Sequence, residues 1–109
     1  MIKSNRIEIP FNKWSLERLY DESKCATSRN KKYGNVGDIF YVGDDKYKIT
    51  MIKKLPLFFI ANELFRTEGC TDPQEFIDIW EEIHPRKGWV DEQKVYYHYF
   101  VCLDYLGDS

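Results

Sequence analysis

A short run in the first third of the chain carries several groups that can bind or cleave a polar ligand. Lys24 supplies an amine, Thr27 a hydroxyl and Arg29 a guanidinium, and Glu68 adds a carboxylate further along the chain. A basic side chain that takes the proton of a hydroxyl turns that hydroxyl into a nucleophile for carbonyl carbon. The four groups therefore indicate either hydrolysis or binding of a polar ligand.

The run from Lys24 to Arg29 is predicted to be a short strand. Side chains alternate along a strand, so Lys24 would share one face with Ala26 and Ser28, and Thr27 would lie on the other. Cooperation between Lys24 and Thr27 then requires a bend or bulge near Ala26, a feature common beside active sites.

This spacing resembles the signature of the ASCH domain superfamily, relatives of the PUA RNA-binding fold. In that signature, Gly-x-Lys-x-x-Thr-x-Arg precedes a Gly-Asp turn that opens the next strand. Lys24, Thr27 and Arg29 match it, and Gly37-Asp38 follows. The resemblance extends over roughly residues 9–103 and is strongest to the small bacterial branch that hydrolyses N(4)-acetylcytidine.

The resemblance implies that Lys24, Thr27 and Glu68 are catalytic. Thr27 would attack the amide carbonyl of an acylated cytosine, Lys24 would carry the proton, and Glu68 would transfer a proton or position water. Arg29 would donate hydrogen bonds to the base, the oxyanion or a phosphate. The expected partner is a modified nucleoside or short RNA, and no cofactor or metal ion is expected.

One residue departs from the signature. The leading glycine position is occupied by Glu22, and a non-glycine residue tolerates a positive φ poorly. The turn into the strand must therefore differ from that of the family or be strained. Glu22 also places a carboxylate near Lys24, with which the amine could pair.

Two other interpretations remain open. An ASCH or PUA-like module could bind RNA or a modified nucleotide without cleaving it, which requires an exposed basic face with Arg29, Lys31 and Lys32 but no contact between Lys24 and Thr27. A Lys24 amine within about 3.2 Å of the Thr27 hydroxyl would favour the enzyme. An RNA-cleaving activity has less support, since no histidine pair is evident for general acid and base.

Further residues are predicted to contact the substrate. Tyr33 and Trp89 lie in polar, loop-like surroundings and could stack on a base, as could Tyr97. Asp38 is included in the substrate-binding set, although its place after Gly37 also suits a turn residue.

Size and composition suit one soluble, cytoplasmic domain. The chain has 109 residues, of which 17% are aromatic, enough for one core. No apolar run approaches a membrane span, and the start, residues 1–6, is not followed by an apolar signal segment. The sequence does not indicate an oligomeric state.

Charge and cysteine content narrow the class of partner. Residues 1–60 carry 12 Lys/Arg and 7 Asp/Glu, and residues 61–109 carry 4 and 11, so the halves have net charges of +5 and −7. A basic face could attract phosphate, but the whole chain is too acidic for strong binding to long nucleic acid.

The three cysteines lack the paired spacing of a zinc ribbon, which leaves Cys70, His84 and Cys102 as a remote metal set.

The predicted fold class is α+β, a small mixed β-barrel of the PUA/ASCH type with about three flanking helices. The strands are predicted at residues 6–9, 24–29, 39–42, 47–52 and 95–103, and the helices at residues 12–22, 56–66 and 72–83. The last strand is apolar on both faces, so it should be central. The apolar stripe of the last helix, Phe76, Ile79, Trp80 and Ile83, is predicted to be core, and His98 a hydrogen-bonded core histidine.

Overall fold

A four-stranded antiparallel sheet and three helices make up the part of the chain that the structure, a computed structural model, describes, residues 4–103. Residues 1–3, at the polar start considered above, lie outside that part. The elements are, in chain order, α1 (Lys13–Tyr20), β1 (Ala26–Arg29), β2 (Ile39–Val42), β3 (Asp45–Pro56), α2 (Leu57–Glu63), α3 (Pro73–Ile83) and β4 (Lys94–Cys102).

The sheet has the order β1-β4-β3-β2 and curls into a half-barrel. The α+β prediction is confirmed, and so is the central position of β4, which pairs with β1 on one side and β3 on the other. The strands predicted at residues 39–42 and 47–52 form a hairpin, in which Val42 of β2 pairs with Asp45 of β3 across a tight turn.

A bulge in β3 between Ile49 and Met51 changes which face its side chains cover. Ile49 lies opposite Phe100, whereas Met51 lies opposite Tyr99, so two odd-numbered residues face opposite sides. The sheet thereby serves two core clusters. The aromatic cluster consists of Ile9, Leu19, Phe40, Val42, Tyr47, Ile49 and Phe100. The pocket cluster consists of Ala26, Leu57, Ile60, Ala61, Cys70, Phe76, Trp80, Val95 and Tyr97.

Side-chain caps lie at the starts of two helices, as the predicted starts at residues 12 and 72 require. The Asn12 side chain accepts a hydrogen bond from the Ser15 amide at 2.8 Å and caps α1. Asp72 caps α3 through the Glu75 amide at 2.8 Å, and Pro73 occupies the first turn. The Glu75 carboxylate accepts from the Thr71 amide at 2.7 Å rather than from Asp72, so the reciprocal bond of the capping box falls one residue earlier.

Several boundaries predicted from the sequence are wrong. Residues 6–9 form no strand, because only Arg6 pairs, in a parallel bridge to Ile39. The first helix ends at Tyr20 rather than at residue 22, because the chain leaves helical geometry at Asp21 and has a positive φ at Glu22. The second helix ends at Glu63, and the Thr67 hydroxyl bonds the Leu64 carbonyl at 2.7 Å in the turn that follows.

No helix within residues 4–103 has the length and apolar character needed to cross a membrane. Within residues 4–103 the three cysteines form no disulfide bond, and no three His, Cys, Asp or Glu side chains lie close enough together to hold a metal ion.

Candidate active site

A pocket of about 370 Å³ opens between α1, the edge strand β1 and α3. All three residues predicted to be catalytic lie on its wall, together with Ser28, Arg29, Lys31 and Tyr33. The remaining lining residues are Pro10, Asn12, Trp14, Ser15, Asn30, Cys70, Phe76, Ile79, Trp80, Ile83 and His84.

A buried ion pair lies at the polar end of the pocket. Lys24 Nζ is 3.3 Å from Glu68 Oε1 and donates to the Glu68 carbonyl at 3.1 Å. Both residues are nearly inaccessible, with 6% and 4% of their surfaces exposed. The ring of Trp14 covers the ammonium, with its centroid 5.9 Å from Nζ. An uncompensated charge here would be strongly unfavourable, so the two side chains depend on each other.

The backbone brings Lys24 and Glu68 together through an isolated antiparallel bridge. Gly69 follows with a φ of 94°, and a Cβ at that position would lie 3.2 Å from the Lys24 Cβ. Only glycine combines this conformation with so close an approach. Gly69 therefore gives Lys24 the space to lie against Glu68.

The irregularity that the sequence required near Ala26 is present. The Thr67 carbonyl accepts hydrogen bonds from two consecutive amides, Cys25 N at 2.7 Å and Ala26 N at 2.9 Å. Two residues opposite one is the hydrogen-bond pattern of a β-bulge, and it offsets the alternation of side chains. Lys24 and Thr27 consequently reach the same pocket.

The Thr27 hydroxyl is held by Arg29 and not by Lys24. Arg29 Nε donates to Thr27 Oγ1 at 3.1 Å, and Nη2 donates to the Pro10 carbonyl. The guanidinium also lies 5.1 Å from the ring of Phe11 and 5.3 Å from that of Tyr33. The Arg29 side chain is thus fixed between two rings and a hydroxyl, with burial lowering its pKa.

His98 supports this wall from inside the sheet, and its prediction as a hydrogen-bonded core histidine is confirmed. Its Nε2 accepts from the Tyr33 amide at 2.9 Å, so Nδ1 carries the proton and donates to the Thr27 carbonyl at 3.1 Å. The side chain is fully buried, and burial lowers the pKa of His98. A neutral imidazole therefore joins the backbones of Thr27 and Tyr33.

The apolar wall of the pocket comes from α3. Phe76 and Trp80 are buried as predicted, but their stripe also lines the pocket, and Ile83 is 51% exposed. The sequence interpretation of this stripe as core alone is therefore wrong. His84 stacks on Trp80 with ring centroids 4.0 Å apart, an (i, i+4) pair that continues the stripe past the helix end. That spacing could have identified His84 as a pocket residue.

Three residues assigned to substrate contact lie elsewhere. Asp38 accepts from the amides of Asn35 at 2.8 Å and Asn5 at 3.2 Å, so it is a turn residue. Trp89 packs edge-on against Phe76 behind the pocket wall. The Tyr97 ring is core, and its hydroxyl bonds Thr67 at 2.7 Å.

The predicted strain at Glu22 is present. Its φ is 72°, and it is the non-glycine residue with a positive φ among residues 4–103. The Glu22 amide still bonds the Leu19 carbonyl at 3.2 Å, as a turn after a helix requires. Lys24 pairs with Glu68 instead of with the exposed Glu22. Glu22 therefore adopts a backbone conformation that glycine favours, at the expense of backbone strain.

Comparison with proteins of known structure identifies the fold of the chain. No protein-family model matches the sequence, and no curated protein matches it significantly. Among solved structures, it is similar to an ASCH domain from Lactobacillus crispatus JV V101, with a TM-score of 0.70 and 10% identity over 91% of this chain and 79% of the other.

Two further structures resemble the chain. Protein EF3133 from Enterococcus faecalis V583, of the family DUF984, has a TM-score of 0.58 and 14% identity over 94% of this chain and 81% of its own. Hypothetical protein PH0355 has a TM-score of 0.58 and 15% identity, over 91% and 96%. The chain therefore has the ASCH fold that its signature resembles.

Proposed function

We propose that this protein is an amidohydrolase that removes the acyl group from N(4)-acylated cytosine or cytidine, acting as one ASCH-like domain over residues 1–109. The supporting observation is that Lys24, Thr27 and Glu68 line one pocket although Lys24 and Glu68 are 44 residues apart in the chain. The ASCH fold itself is compatible with a hydrolase-type or a PUA-like RNA-binding module.

The size and lining of the pocket suit a nucleoside. Its volume of about 370 Å³ lies in the range of roughly 300–1,000 Å³ that small-molecule sites occupy. Tyr33 offers a ring on which a base can stack, and Arg29 offers guanidinium donors beside it. The amide to be cleaved would then lie over Thr27.

Thr27 is suited to act as the nucleophile. Its Oγ1 accepts a hydrogen bond from Arg29, so its own proton is left for a base. Within the ion pair, transfer of one proton from Lys24 to Glu68 leaves a neutral amine, which takes the Thr27 proton as Oγ1 bonds to the acyl carbon. The C–N bond breaks, and the cytosine amino group leaves with the proton that Lys24 returns.

The second half of the reaction releases the acyl group. Lys24 takes a proton from water, the resulting hydroxide attacks the acyl ester on Thr27, and Lys24 then protonates the departing threonine oxygen. Glu68 finally returns its proton to Lys24, which restores the ion pair. The net reaction is amide plus water to carboxylic acid plus amine, with no cofactor.

A binding module is the second candidate, and one observation favours it. Lys24 bonds to Glu68 and not to Thr27, while Arg29 and Lys31 lie 5.3 and 5.0 Å from the ring of Tyr33 at the pocket wall. Two cations beside a half-buried ring on the pocket wall suit a phosphate and a base. Such a module would bind the substrate and release it unchanged.

Substitution of the three catalytic residues tests the proposal. Lys24→Ala, Thr27→Val and Glu68→Ala should each abolish the ultraviolet change that accompanies deacylation of N(4)-acetylcytidine, while circular dichroism shows a folded protein. Thr50→Val is the matched control, because Thr50 is an exposed strand threonine outside the pocket, and it should retain wild-type activity. Retained activity in any of the three variants would reject that residue's role.

A further inference from the structure

A second hydroxyl, on Ser28, lies beside the catalytic set, and the family signature gives it no role. Ser28 Oγ donates to Glu68 Oε2 at 2.7 Å, and the residue is buried on the pocket wall. Lys24 Nζ bonds the other oxygen, Oε1. Each oxygen of the Glu68 carboxylate thus has its own donor, and the two donors fix the plane of the carboxylate.

The two neighbouring hydroxyls use their protons differently. Thr27 accepts from Arg29 and keeps its proton for a base, whereas Ser28 gives its only proton to Glu68. A hydroxyl that donates its proton to a buried carboxylate fixes the orientation of that carboxylate. Without Ser28, Oε2 would be a buried acceptor with no donor, and Glu68 could rotate away from Lys24.

We propose that Ser28 is a positioning residue that holds the Glu68 carboxylate in the orientation from which it exchanges a proton with Lys24. This inference rests on the hydrolase function proposed above. Ser28 does not touch the acyl group, and its effect on turnover passes through Glu68.

The same protein contains a matched pair on its surface. Ser23 Oγ donates to the Asp21 carboxylate at 2.6 Å, and this hydrogen bond lowers the pKa of Asp21. Both residues are exposed and lie outside the catalytic pocket. Ser23→Ala therefore removes the same chemical contact at a place where it should not affect turnover.

The kcat and KM of Ser28→Ala, Ser28→Thr and Ser23→Ala test the inference. In Ser28→Ala, we expect kcat to fall by about 10- to 100-fold with little change in KM, the loss that removal of a hydrogen bond to a charged group produces.

Ser28→Thr keeps the hydroxyl and should restore kcat, and Ser23→Ala should match the wild type. An unimpaired kcat in Ser28→Ala would overturn the role of Ser28 and leave the hydrolase function standing. Absence of turnover by the wild-type protein would instead overturn the hydrolase function on which the inference rests.

Discussion

The aromatic cluster and the pocket cluster lie on opposite faces of the same sheet but bury different chemistry. In the aromatic cluster, Phe40 stacks on Tyr47 with centroids 5.2 Å apart, and Phe100 meets Phe40 edge-on at 5.1 Å. Beside the pocket cluster, the buried side chains include Lys24 and Glu68. The packed rings of the aromatic cluster stabilise the fold. The region beside the pocket cluster contains a buried charged pair that apolar residues could replace without loss of stability.

Replacing one member of the ion pair should produce the largest effect. Lys24→Met leaves Glu68 buried without its partner, which should lower the free energy of unfolding by about 3–5 kcal/mol and abolish turnover. The double variant Lys24→Met/Glu68→Leu should recover wild-type stability or exceed it, yet stay inactive. Urea unfolding of the single and double variants measures this. A double variant as unstable as the single one would contradict the difference between the two regions.

A cavity in the aromatic cluster should lower stability about as much as Lys24→Met does, but should leave turnover close to that of the wild type. Phe40 is fully buried, and Phe40→Ala should lower the free energy of unfolding by about 3–5 kcal/mol. Because Phe40 lies outside the pocket, the kcat of the folded fraction should stay close to wild type. A loss of kcat as large as that of Lys24→Met would show that the two regions are not separable.

Relief of the strain at Glu22 should raise stability. Glycine adopts a φ of 72° without the penalty that a Cβ imposes, so Glu22→Gly should gain about 1 kcal/mol in urea unfolding. Glu17→Gly, in the middle of α1, is the opposite control and should lose roughly 0.5–1 kcal/mol. A destabilised Glu22→Gly would mean that the Glu22 side chain contributes more than its backbone costs.

Acid should weaken the hydrogen bonds that His98 makes to the backbones of Thr27 and Tyr33. Burial lowers the pKa of His98 in the folded state, so the unfolded chain binds the proton more readily. The contribution to stability is therefore present above the ordinary histidine value of about 6.5 and is lost as the pH falls through the lower value of the folded state. Unfolding free energies measured from pH 7.5 down to pH 5 should fall in the wild type and fall less in His98→Asn. Equal slopes would contradict the prediction.

Local sequence signals predicted the helices and strands well. Features that depend on contacts between distant residues could not be predicted. The caps Asn12 and Asp72 act within three residues, so the helix starts could be located from the sequence. The bulge at Ile49/Met51 depends on pairing with β4, about 50 residues away, and no local pattern specified it. The single bridge between Arg6 and Ile39 likewise depends on a distant partner and could not be predicted from a local pattern.

The candidate site shows the same contrast between residues that a local motif identifies and contacts that join distant segments. The motif placed Lys24, Thr27 and Arg29 in one segment, and the resemblance added Glu68. The hydrogen bond between Ser28 and Glu68 could not be predicted from the sequence, because it joins residues 40 positions apart at the edge of the sheet. The apolar stripe of α3 indicated burial correctly, but a residue such as Ile83 can be apolar and still face a pocket, and periodicity does not distinguish these cases.

The central claim is that the pocket cleaves an acylated cytosine and does not merely hold it. A time course by proton NMR of wild-type protein with N(4)-acetylcytidine tests it directly, because the acetyl methyl signal of the substrate is resolved from that of free acetate. We predict that the substrate signal decays while acetate and cytidine appear in equal amounts. A substrate signal that persists while resonances of Tyr33 and Thr27 shift would contradict hydrolysis and identify a binding module.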